Sequence, residues 1–294
     1  MAILPILQVG TPVLREKSVE TQIDLNLTKL PDYIKQKYVF KRDNPYWFED
    51  VGTMIFCGSQ GSGKTLSAVN YVYNLFEKYP YMILVSNVAM RDFPFNAGYR
   101  FNHKTQKIEI YDLLTDEVIN LGDWRYGQND IVNGKFGYVC IEYDGLDCLK
   151  YVENGDLGVV FLIDELHLEL NSLESKNIDI DVMVEISQQR KQRKKIIGTS
   201  QVFMRLAKPI REQIFDVIIC RNFFGCLQFN KSINGETAYE ENGKLHAEVK
   251  GRSIYFHTYD MYGRYDTYAK MKRYRKEWQG RKRDSSSSIY CIER

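Results

Sequence analysis

Short apolar runs alternate with segments of helical spacing through much of this 294-residue chain. The apolar run 53–57 (TMIFC) precedes a segment at 64–79 in which apolar residues recur with helical spacing. The runs 81–88 (YMILVSNV) and 159–163 (VVFLI) have the character of strands, and the second is typical of a parallel strand buried on both faces. This alternation predicts an α/β fold in which helices flank a mainly parallel central sheet.

The alternation continues after residue 163 and then gives way to short runs. The pattern predicts a helix at 178–195, a strand at 195–201, a helix at 206–214 and a strand at 216–221. Residues 222–257 contain short strand-like runs rich in tyrosine and phenylalanine, with a hairpin turn indicated at 240–244 (EENGK). Similar short runs between turn residues at 98–150 predict a small β-rich insert in the α/β core.

The segment Gly58–Thr65 (GSQGSGKT) joins the first strand of this pattern to its first helix and matches G-x-x-x-x-G-K-T. Its glycines let the backbone turn tightly and point N–H groups inward, and the following helix adds the positive end of its dipole. The segment therefore predicts a loop that binds the phosphates of ATP; a glycine-rich turn that matches by chance is the alternative. The predicted nucleotide-binding residues are Gly58, Ser59, Gln60, Gly61, Ser62, Gly63, Lys64 and Thr65.

Four residues have distinct predicted roles in catalysis or metal binding. The ammonium of Lys64 would reach the β- and γ-phosphates, and the Thr65 hydroxyl would hold Mg²⁺. Asp164 and Glu165 directly follow the buried run 159–163, where a carboxylate is costly unless it serves a cation or a reaction. We expect Asp164 to hold Mg²⁺ through water and Glu165 to orient or deprotonate the water that attacks the γ-phosphate. The alternative is a strand that ends in solvated acids.

Two other polar residues lie near predicted strand ends. Gln201 closes the strand 195–201 and would sense the γ-phosphate or position water, unless it is simply an amide that faces a loop. His167 follows the two acids, and a histidine in such a position is more often a capping or packing residue than a metal ligand.

Positive charge is concentrated in two segments. The first is RKQRKK, at the end of a predicted helix, with Arg190, Lys191, Arg193, Lys194 and Lys195. The second is 270–283, where lysine and arginine are interleaved with Tyr274 and Trp278. Both segments suit contact with the phosphate backbone of DNA, and the aromatic rings could stack on bases. A solvated helix face is the alternative for each, and the second segment could instead hold a neighbouring subunit.

Composition narrows the class of protein. The apolar content of 44% and charged content of 27% are typical of a soluble globular protein, and the formal net charge of +2 indicates no particular partner. No run approaches the roughly 18 apolar residues of a membrane helix, so we expect no integral membrane segment. The cysteines show no C-x-x-C spacing, and Cys57 and Cys220 lie in apolar runs, which indicates reduced, buried thiols in a cytoplasmic protein.

Three segments, in this order along the chain, resemble the FtsK–HerA superfamily of P-loop ATPases. They are FCGSQGSGKT, VVFLIDEL and QQRKQRKKIIGTSQVFMRLAKPIREQIFDVIICR, and the resemblance extends over roughly 50–225. Within the superfamily, the likeness is greatest to phage Zot-like (zonular occludens toxin-like) proteins and viral genome-packaging ATPases. The resemblance implies a P-loop NTPase fold and ATP-driven movement of DNA by a ring of subunits.

The resemblance also implies roles for individual residues. The family's functional positions are matched by Lys64, Thr65, Asp164, Glu165 and Gln201. An arginine that completes the neighbouring subunit's site is expected as well, and the candidates are Arg190, Arg193, Arg205 and Arg211. Arg211 is the first choice, because PIREQ precedes a strand near the expected subunit edge.

These observations together predict three parts of the chain. Residues 1–45 would be an N-terminal arm, and 46–225 would be the P-loop ATPase domain that contains the insert at about 98–150. Residues 226–294 would be a β-rich segment followed by a basic C-terminal helix or tail.

The expected function is ATP-driven translocation of DNA by a viral or mobile-element genome-packaging ring. Such a ring would act in the host cytoplasm or on the virion, with a portal or capsid-vertex protein as partner. Zot-like proteins of filamentous phages usually carry a membrane span after the ATPase part, and the lack of one here favours packaging over extrusion. The alternatives are a Zot-like morphogenesis ATPase with a separate membrane partner and a scaffold that binds ATP in order to assemble. Glu165 speaks against the scaffold, since a pure switch needs no carboxylate base.

Overall fold

A computed structural model describes residues 7–9, 13–15, 18–20, 23–25, 30–119, 138–172, 180–241 and 244–266. Contacts between residues divide the chain into two units, residues 1–47 and residues 48–294. The predicted basic segment 270–283 and part of the predicted insert, residues 120–137, lie outside the described residues.

The first unit contains two antiparallel strand pairs and a helix. Strand β1 (Leu7–Val9) pairs with β4 (Ile23–Leu25), and β2 (Val13–Arg15) pairs with β3 (Ser18–Glu20). Helix α1 (Leu30–Asp43) follows. The region that the sequence predicts as an arm therefore contains regular secondary structure.

Ten of the described strands in the second unit form one sheet. In chain order, the strands of this unit are β5 (Gly52–Cys57), β6 (Ile83–Ser86), β7 (Ala97–Asn102), β8 (Lys107–Asp112), β9 (Val139–Glu142), β10 (Val159–Ile163), β11 (Lys194–Ser200), β12 (Ile214–Phe223), β13 (Leu227–Asn234), β14 (Tyr239–Glu241), β15 (Lys244–His246) and β16 (Val249–Phe256). The order across the sheet is β16–β13–β12–β5–β11–β10–β6–β9–β7–β8. Strands β14 and β15 form a separate antiparallel pair whose register sets Glu241 opposite Lys244; residues 242 and 243 of the predicted turn lie outside the described residues.

The centre of the sheet is parallel and its two ends are antiparallel. The pairings from β12 through β5, β11, β10 and β6 to β9 are all parallel, and β7 joins β9 in the same direction. Strand β8 is antiparallel to β7 at one end, while β13 and β16 are antiparallel at the other. The predicted α/β fold with a mainly parallel sheet is confirmed.

Helices of the second unit are few and mostly short in the described ranges. They are α2 (Lys64–Lys78), α3 (Cys148–Tyr151), α4 (Ile180–Gln188), α5 (Lys208–Arg211) and α6 (Tyr259–Gly263). Single 3₁₀ turns are formed by Gly155–Leu157, Leu166–Leu168 and Phe203–Arg205.

Helix α2 covers the parallel strands beside the loop Gly58–Thr65. Its buried residues Leu66, Val69, Val72 and Phe76 recur at helical spacing and face the sheet, where α2 contacts β5, β10 and β11. Burial of each such side chain contributes about 1.5–3 kcal/mol to folding. The amino end of α2 is thereby held at one edge of the sheet.

Two segments that the sequence separates from the α/β core belong to its sheet. Strand β9, within the predicted insert, pairs in parallel with β6 and is almost wholly buried. Strands β13 and β16, within the predicted C-terminal part, continue the sheet beyond β12. Strand pairing joins residues that are distant in sequence, so the local pattern did not indicate either placement.

Lys194 and Lys195 are buried, which contradicts their predicted contact with DNA. Helix α4 ends at Gln188, and β11 begins at Lys194, so the two lysines are only 1% and 3% exposed. The Lys194 ammonium donates to Leu149 O at 2.6 Å and to Glu185 Oε2 at 3.0 Å. The Lys195 ammonium donates to Asp50 Oδ1 at 2.7 Å. These buried cations pair with partly exposed carboxylates of the same chain and are unavailable to a phosphate backbone.

The described residues also bear on two predictions from composition. Within these ranges, no helix combines the length and apolar character that crossing a membrane requires. Cys57 and Cys220 are buried free thiols, as predicted, and burial raises the pKa of Cys220 to about 12. The Cys220 thiol is therefore protonated at neutral pH.

Lys194→Ala should destabilise the second unit by about 3 kcal/mol, because Glu185 loses its cation and the Leu149 carbonyl its donor. The matched control is Lys191→Ala, at an exposed position in the same basic run, which should change stability by no more than about 0.5 kcal/mol. Urea unfolding followed by circular dichroism measures both. Equal losses in the two variants would contradict the buried role of Lys194.

Candidate functional site

The predicted site residues lie at the carboxyl edge of the parallel strands. Strand β11 lies between β5 and β10, with Ser200 opposite Cys57 and Gly198 opposite Ile163. The loop after β5, the acids after β10 and the glutamine after β11 therefore start from neighbouring strand ends. Open α/β sheets bind their ligands at this edge.

The loop Gly58–Thr65 turns back on itself before it enters α2. Gly58 N–H donates to Ser200 O at 3.3 Å, Ser62 N–H donates to Ser59 O at 3.2 Å, and Ser67 N–H donates to Gly63 O at 2.9 Å. Gly63 has a φ of +79°, and a Cβ there would lie 2.1 Å from Gln228 Oε1. Both the backbone conformation and the close side chain therefore require glycine at this position.

Positive charge and N–H donors converge in this loop. The buried Lys64 ammonium donates to Ser59 O at 3.0 Å, which places it across the loop. Among the described residues, no side chain caps α2 at Gly63, and the first turn of α2 contains no acidic residue. Its N–H groups and the helix dipole are thus directed at the same loop. The arrangement suits an anion with several oxygens, such as a polyphosphate.

Asp164 joins three elements through hydrogen bonds. Its side chain is 8% exposed, and Oδ1 accepts from Thr65 Oγ1 at 3.0 Å and from Thr199 Oγ1 at 2.5 Å. Asp164 N–H donates to Asn87 Oδ1 at 2.8 Å, and Asn87 Nδ2 donates to Asp164 O at 3.0 Å. The carboxylate and the Thr65 hydroxyl are hard oxygen ligands of the kind that Mg²⁺ prefers, so this pair fits the predicted metal.

Glu165 has an unusual backbone conformation. Its φ is +56°, in the left-handed region, and its N–H donates to Thr199 Oγ1 at 2.9 Å. A non-glycine residue held in this region costs of order 1 kcal/mol or more and requires support from its surroundings. The Glu165 side chain is 22% exposed, and its Oε2 lies 3.3 Å from Nδ1 of the buried His167. Glu165 therefore reaches solvent, whereas His167 packs beside it, in line with the packing role favoured by the sequence.

Gln201 and Arg205 are exposed at the carboxyl edge. Gln201 directly follows Ser200, the residue whose carbonyl accepts the Gly58 N–H. Arg205 belongs to the 3₁₀ turn that follows. Both residues lie on the side of the sheet that carries the loop.

Of the other candidate arginines, Arg190 and Arg193 lie toward the amino edge, whereas Arg211 lies in the connection between the turn Phe203–Arg205 and β12. Arg190 and Arg193 precede β11, and Arg193 O accepts from Val159 N–H at the start of β10. Arg211 precedes β12, whose first residue Ile214 pairs with Thr53 near the start of β5. The half-buried Arg211 guanidinium lies against Met204 Sδ. The structure thus brings the loop, Asp164 and Glu165 together but not these three arginines.

Three residues of the site were not predicted from the sequence. Asn87 and Thr199 are polar residues at the carboxyl ends of buried strands. The same signal identified Asp164, so it could also have identified these two residues. Gln228 lies on β13, and nothing near it in sequence indicates that it contacts the loop.

Comparisons with known proteins concern the fold of this chain. No protein-family model and no curated protein matches it. It is similar to the N-terminal domain of zonular occludens toxin from Neisseria meningitidis, with 15% identity, a TM-score of 0.42 and coverage of 73% of this chain and 98% of that one. It is also similar to the genome packaging NTPase B204 from Sulfolobus turreted icosahedral virus 2, with 11% identity, a TM-score of 0.39 and coverage of 71% and 97%.

A third similar structure is the flagellar accessory protein FlaH from Methanocaldococcus jannaschii, with 13% identity, a TM-score of 0.35 and coverage of 73% of this chain and 95% of that one. Zot and a genome-packaging NTPase, the kinds of protein that the sequence motifs resemble, are thus among the similar structures.

Thr199→Val should destabilise the second unit by about 1–3 kcal/mol. The buried Thr199 hydroxyl serves both Asp164 Oδ1 and Glu165 N–H, and valine would leave both without this partner. Thr105→Val, at an exposed turn position between β7 and β8, is the matched control and should change stability by less than about 0.5 kcal/mol. Guanidinium unfolding measures the difference, and equal stability of the two variants would show that this hydroxyl does not support the site.

Proposed function

We propose that this chain binds ATP in the loop Gly58–Thr65, hydrolyses it and uses the energy to move DNA. The observation that carries the proposal is the convergence at one sheet edge of a buried lysine, a hydroxyl–carboxylate pair and a second, solvent-accessible carboxylate. A phosphate cradle alone would suit many anions. The added carboxylate beside a suitable Mg²⁺ ligand pair is what favours hydrolysis.

Binding would rest on the loop and on Lys64. The triphosphate would take the loop N–H groups and the Lys64 ammonium as partners, in place of the Ser59 carbonyl that Lys64 now contacts. Thr65 and Asp164 would hold Mg²⁺, which neutralises phosphate charge when it is bound.

Hydrolysis would use Glu165. Water forms a bond to the γ-phosphorus, the bond to the β,γ-bridging oxygen breaks, and the carboxylate of Glu165 accepts the proton that water loses. The contact between Thr199 and Glu165 N–H fixes the backbone of this base, while its partial exposure admits water. Gln201, exposed at the same edge, would help to position the water or sense the γ-phosphate.

Contact with DNA would involve a smaller basic surface than the sequence predicts. Lys194 and Lys195 are buried, so the first segment offers DNA only the exposed Arg190 and Lys191 and the half-buried Arg193. The segment 270–283 would add to them. Contacts with phosphates carry no base sequence information, which suits a translocase that must pass along any DNA.

The biological role that this chemistry supports is genome packaging by a ring of subunits in the host cytoplasm, at a portal or capsid vertex. An extrusion ATPase with a separate membrane partner and a nucleotide-gated scaffold are the other roles that the experiments below distinguish.

ATP turnover by the full chain should rise when duplex DNA is added.

Two substitutions should separate ATP binding from ATP hydrolysis. Lys64→Ala should abolish binding or turnover, because the loop loses its cation, whereas Lys78→Ala at the far end of α2 should change neither. Glu165→Gln should keep ATP binding and lower turnover by about 10²-fold or more, since the base is lost but its geometry is kept. Glu142→Gln, an exposed acid that ends the parallel strand β9, is its matched control.

Phosphate release and calorimetric ATP titration measure these effects. Wild-type turnover in Lys64→Ala would rule out the phosphate-loop interpretation. ATP binding without turnover would indicate the scaffold instead, and turnover that ignores DNA would leave the translocase without support.

Arg211→Ala should leave ATP binding nearly intact and lower turnover by about 10³-fold or more, if Arg211 stabilises phosphate charge in a neighbouring subunit. The decisive experiment mixes this variant with Glu165→Gln, each inactive alone. Interfaces that pair an intact Glu165 with an intact Arg211 should regain activity. If mixed rings form and stay inactive, Arg211 does not act across the interface, and Arg190, Arg193 and Arg205 are tested in the same way.

A further inference from the structure

A group of polar side chains lies beside the phosphate loop, on the strands that extend the sheet past β12. Gln228 and Asn230 belong to β13, and both are buried. His257 directly follows β16, and its backbone N–H donates to Cys226 O at 2.7 Å. Gln228 connects this group to the loop.

Both hydrogens of the Gln228 amide have acceptors. Nε2 donates to Ser62 O in the loop at 3.1 Å and to Asn230 Oδ1 at 2.7 Å. Oε1 lies 3.1 Å from His257 Nε2, which can supply the remaining hydrogen bond. The opposite amide orientation would place an oxygen against the Ser62 carbonyl, so the surroundings select the orientation described.

His257 and Asn230 are themselves held in place. The Tyr262 hydroxyl lies 2.7 Å from His257 Nδ1 and 2.7 Å from Gly225 O. Asn230 Nδ2 donates at 3.2 Å to Ser67 Oγ, in the first turns of α2. Burial lowers the pKa of the His257 ring. The amide of Gln228 is thus restrained from both ends.

Gln228 contacts the peptide between Ser62 and Gly63 from one side. Its Nε2 binds the carbonyl of that peptide, and its Oε1 fills the space next to the Gly63 Cα. In a planar trans peptide, the C=O and N–H bonds point in opposite directions. A Ser62 carbonyl held toward β13 therefore directs the Gly63 N–H away from β13.

We propose that Gln228 is a positioning residue of the phosphate loop, which fixes the rotation of the Ser62–Gly63 peptide so that an N–H, and not a carbonyl oxygen, faces the bound phosphates. The inference rests on the proposed function, because it assigns the loop a phosphate ligand. It makes the C-terminal strands β13 and β16 part of the nucleotide site. Gln228 acts through the loop backbone and needs no contact with the reacting atoms.

The test compares two buried glutamines in the full chain. Gln228→Met removes the amide beside the loop, and Gln189→Met removes a buried amide whose Oε1 accepts from Thr53 Oγ1 at 2.8 Å near the opposite end of β5. Hydrogen exchange of residues 58–65 in nucleotide-free protein should become at least about ten-fold faster in Gln228→Met alone. The Kd for ADP with Mg²⁺ should rise about ten-fold in the same variant, because the free-energy cost of losing one buried hydrogen bond corresponds to about that factor. The rise in Kd should exceed the fall in kcat.

The possible outcomes separate this inference from the proposed function. Unchanged exchange and Kd in Gln228→Met, or equal changes in the two variants, would overturn the positioning role. If the wild-type chain binds no ADP, the proposed function fails, and the exchange comparison still decides whether Gln228 orders the loop. Should Gln228→Met not fold, the nearly isosteric pair Gln228→Glu and Gln189→Glu replaces it, with the same expected difference.

Discussion

A buried carboxylate has to be neutralised or hydrogen-bonded, and the candidate site depends on how the fold meets this requirement at Asp164. The residue directly follows β10, in the middle of the sheet, and is 8% exposed. Its side chain takes hydroxyl donors from Thr65 on α2 and Thr199 on β11, and its backbone is paired with Asn87 after β6. Because an unpartnered carboxylate there would be costly, the hydroxyls of α2 and β11 are needed beside the end of β10, while Asn87 ties the end of β6 to the Asp164 backbone.

The backbone of the phosphate loop also needs a hydrogen-bond partner, which comes from an antiparallel strand. Gly63 has a positive φ, and the Ser62 carbonyl before it accepts from Gln228 on β13. The parallel strands therefore supply the acids, while an antiparallel strand supplies a partner for the loop backbone. The site is completed only when residues about 170 positions apart in sequence are brought together, which explains why the extension beyond β12 belongs to the same structural unit.

Local physics made part of this arrangement predictable. A buried apolar run followed by glycines and a helix identified the loop, and two acids after a second buried run identified Asp164 and Glu165, because these signals lie within a few residues of the group concerned. The two lysines at the start of β11 were misread because their partners, Glu185 and Asp50, come from other elements. A run of positive charge looks the same in sequence whether it faces solvent or is buried against carboxylates of the same chain. The role of Gln228 could not be predicted either, because its partner Ser62 is distant from it in sequence.

The placement of charges on the sheet limits how the proposed activity could be organised. The loop lies at the carboxyl edge, whereas Arg190 and Lys191 lie toward the amino edge, and β11 alone separates these edges by about 20 Å. Within one chain, Arg190 therefore cannot serve its own loop without a large rearrangement, whereas the Arg211 guanidinium lies against Met204 in the turn that follows β11. Arg190 could complete a neighbour's site only if the amino edge of one subunit met the carboxyl edge of the next. Such a head-to-tail contact uses two different surfaces, and repetition of it either closes into a ring or continues as a filament. Assigning Arg190 to a neighbour's site therefore implies a head-to-tail assembly, which forms a ring if the rotation between subunits closes.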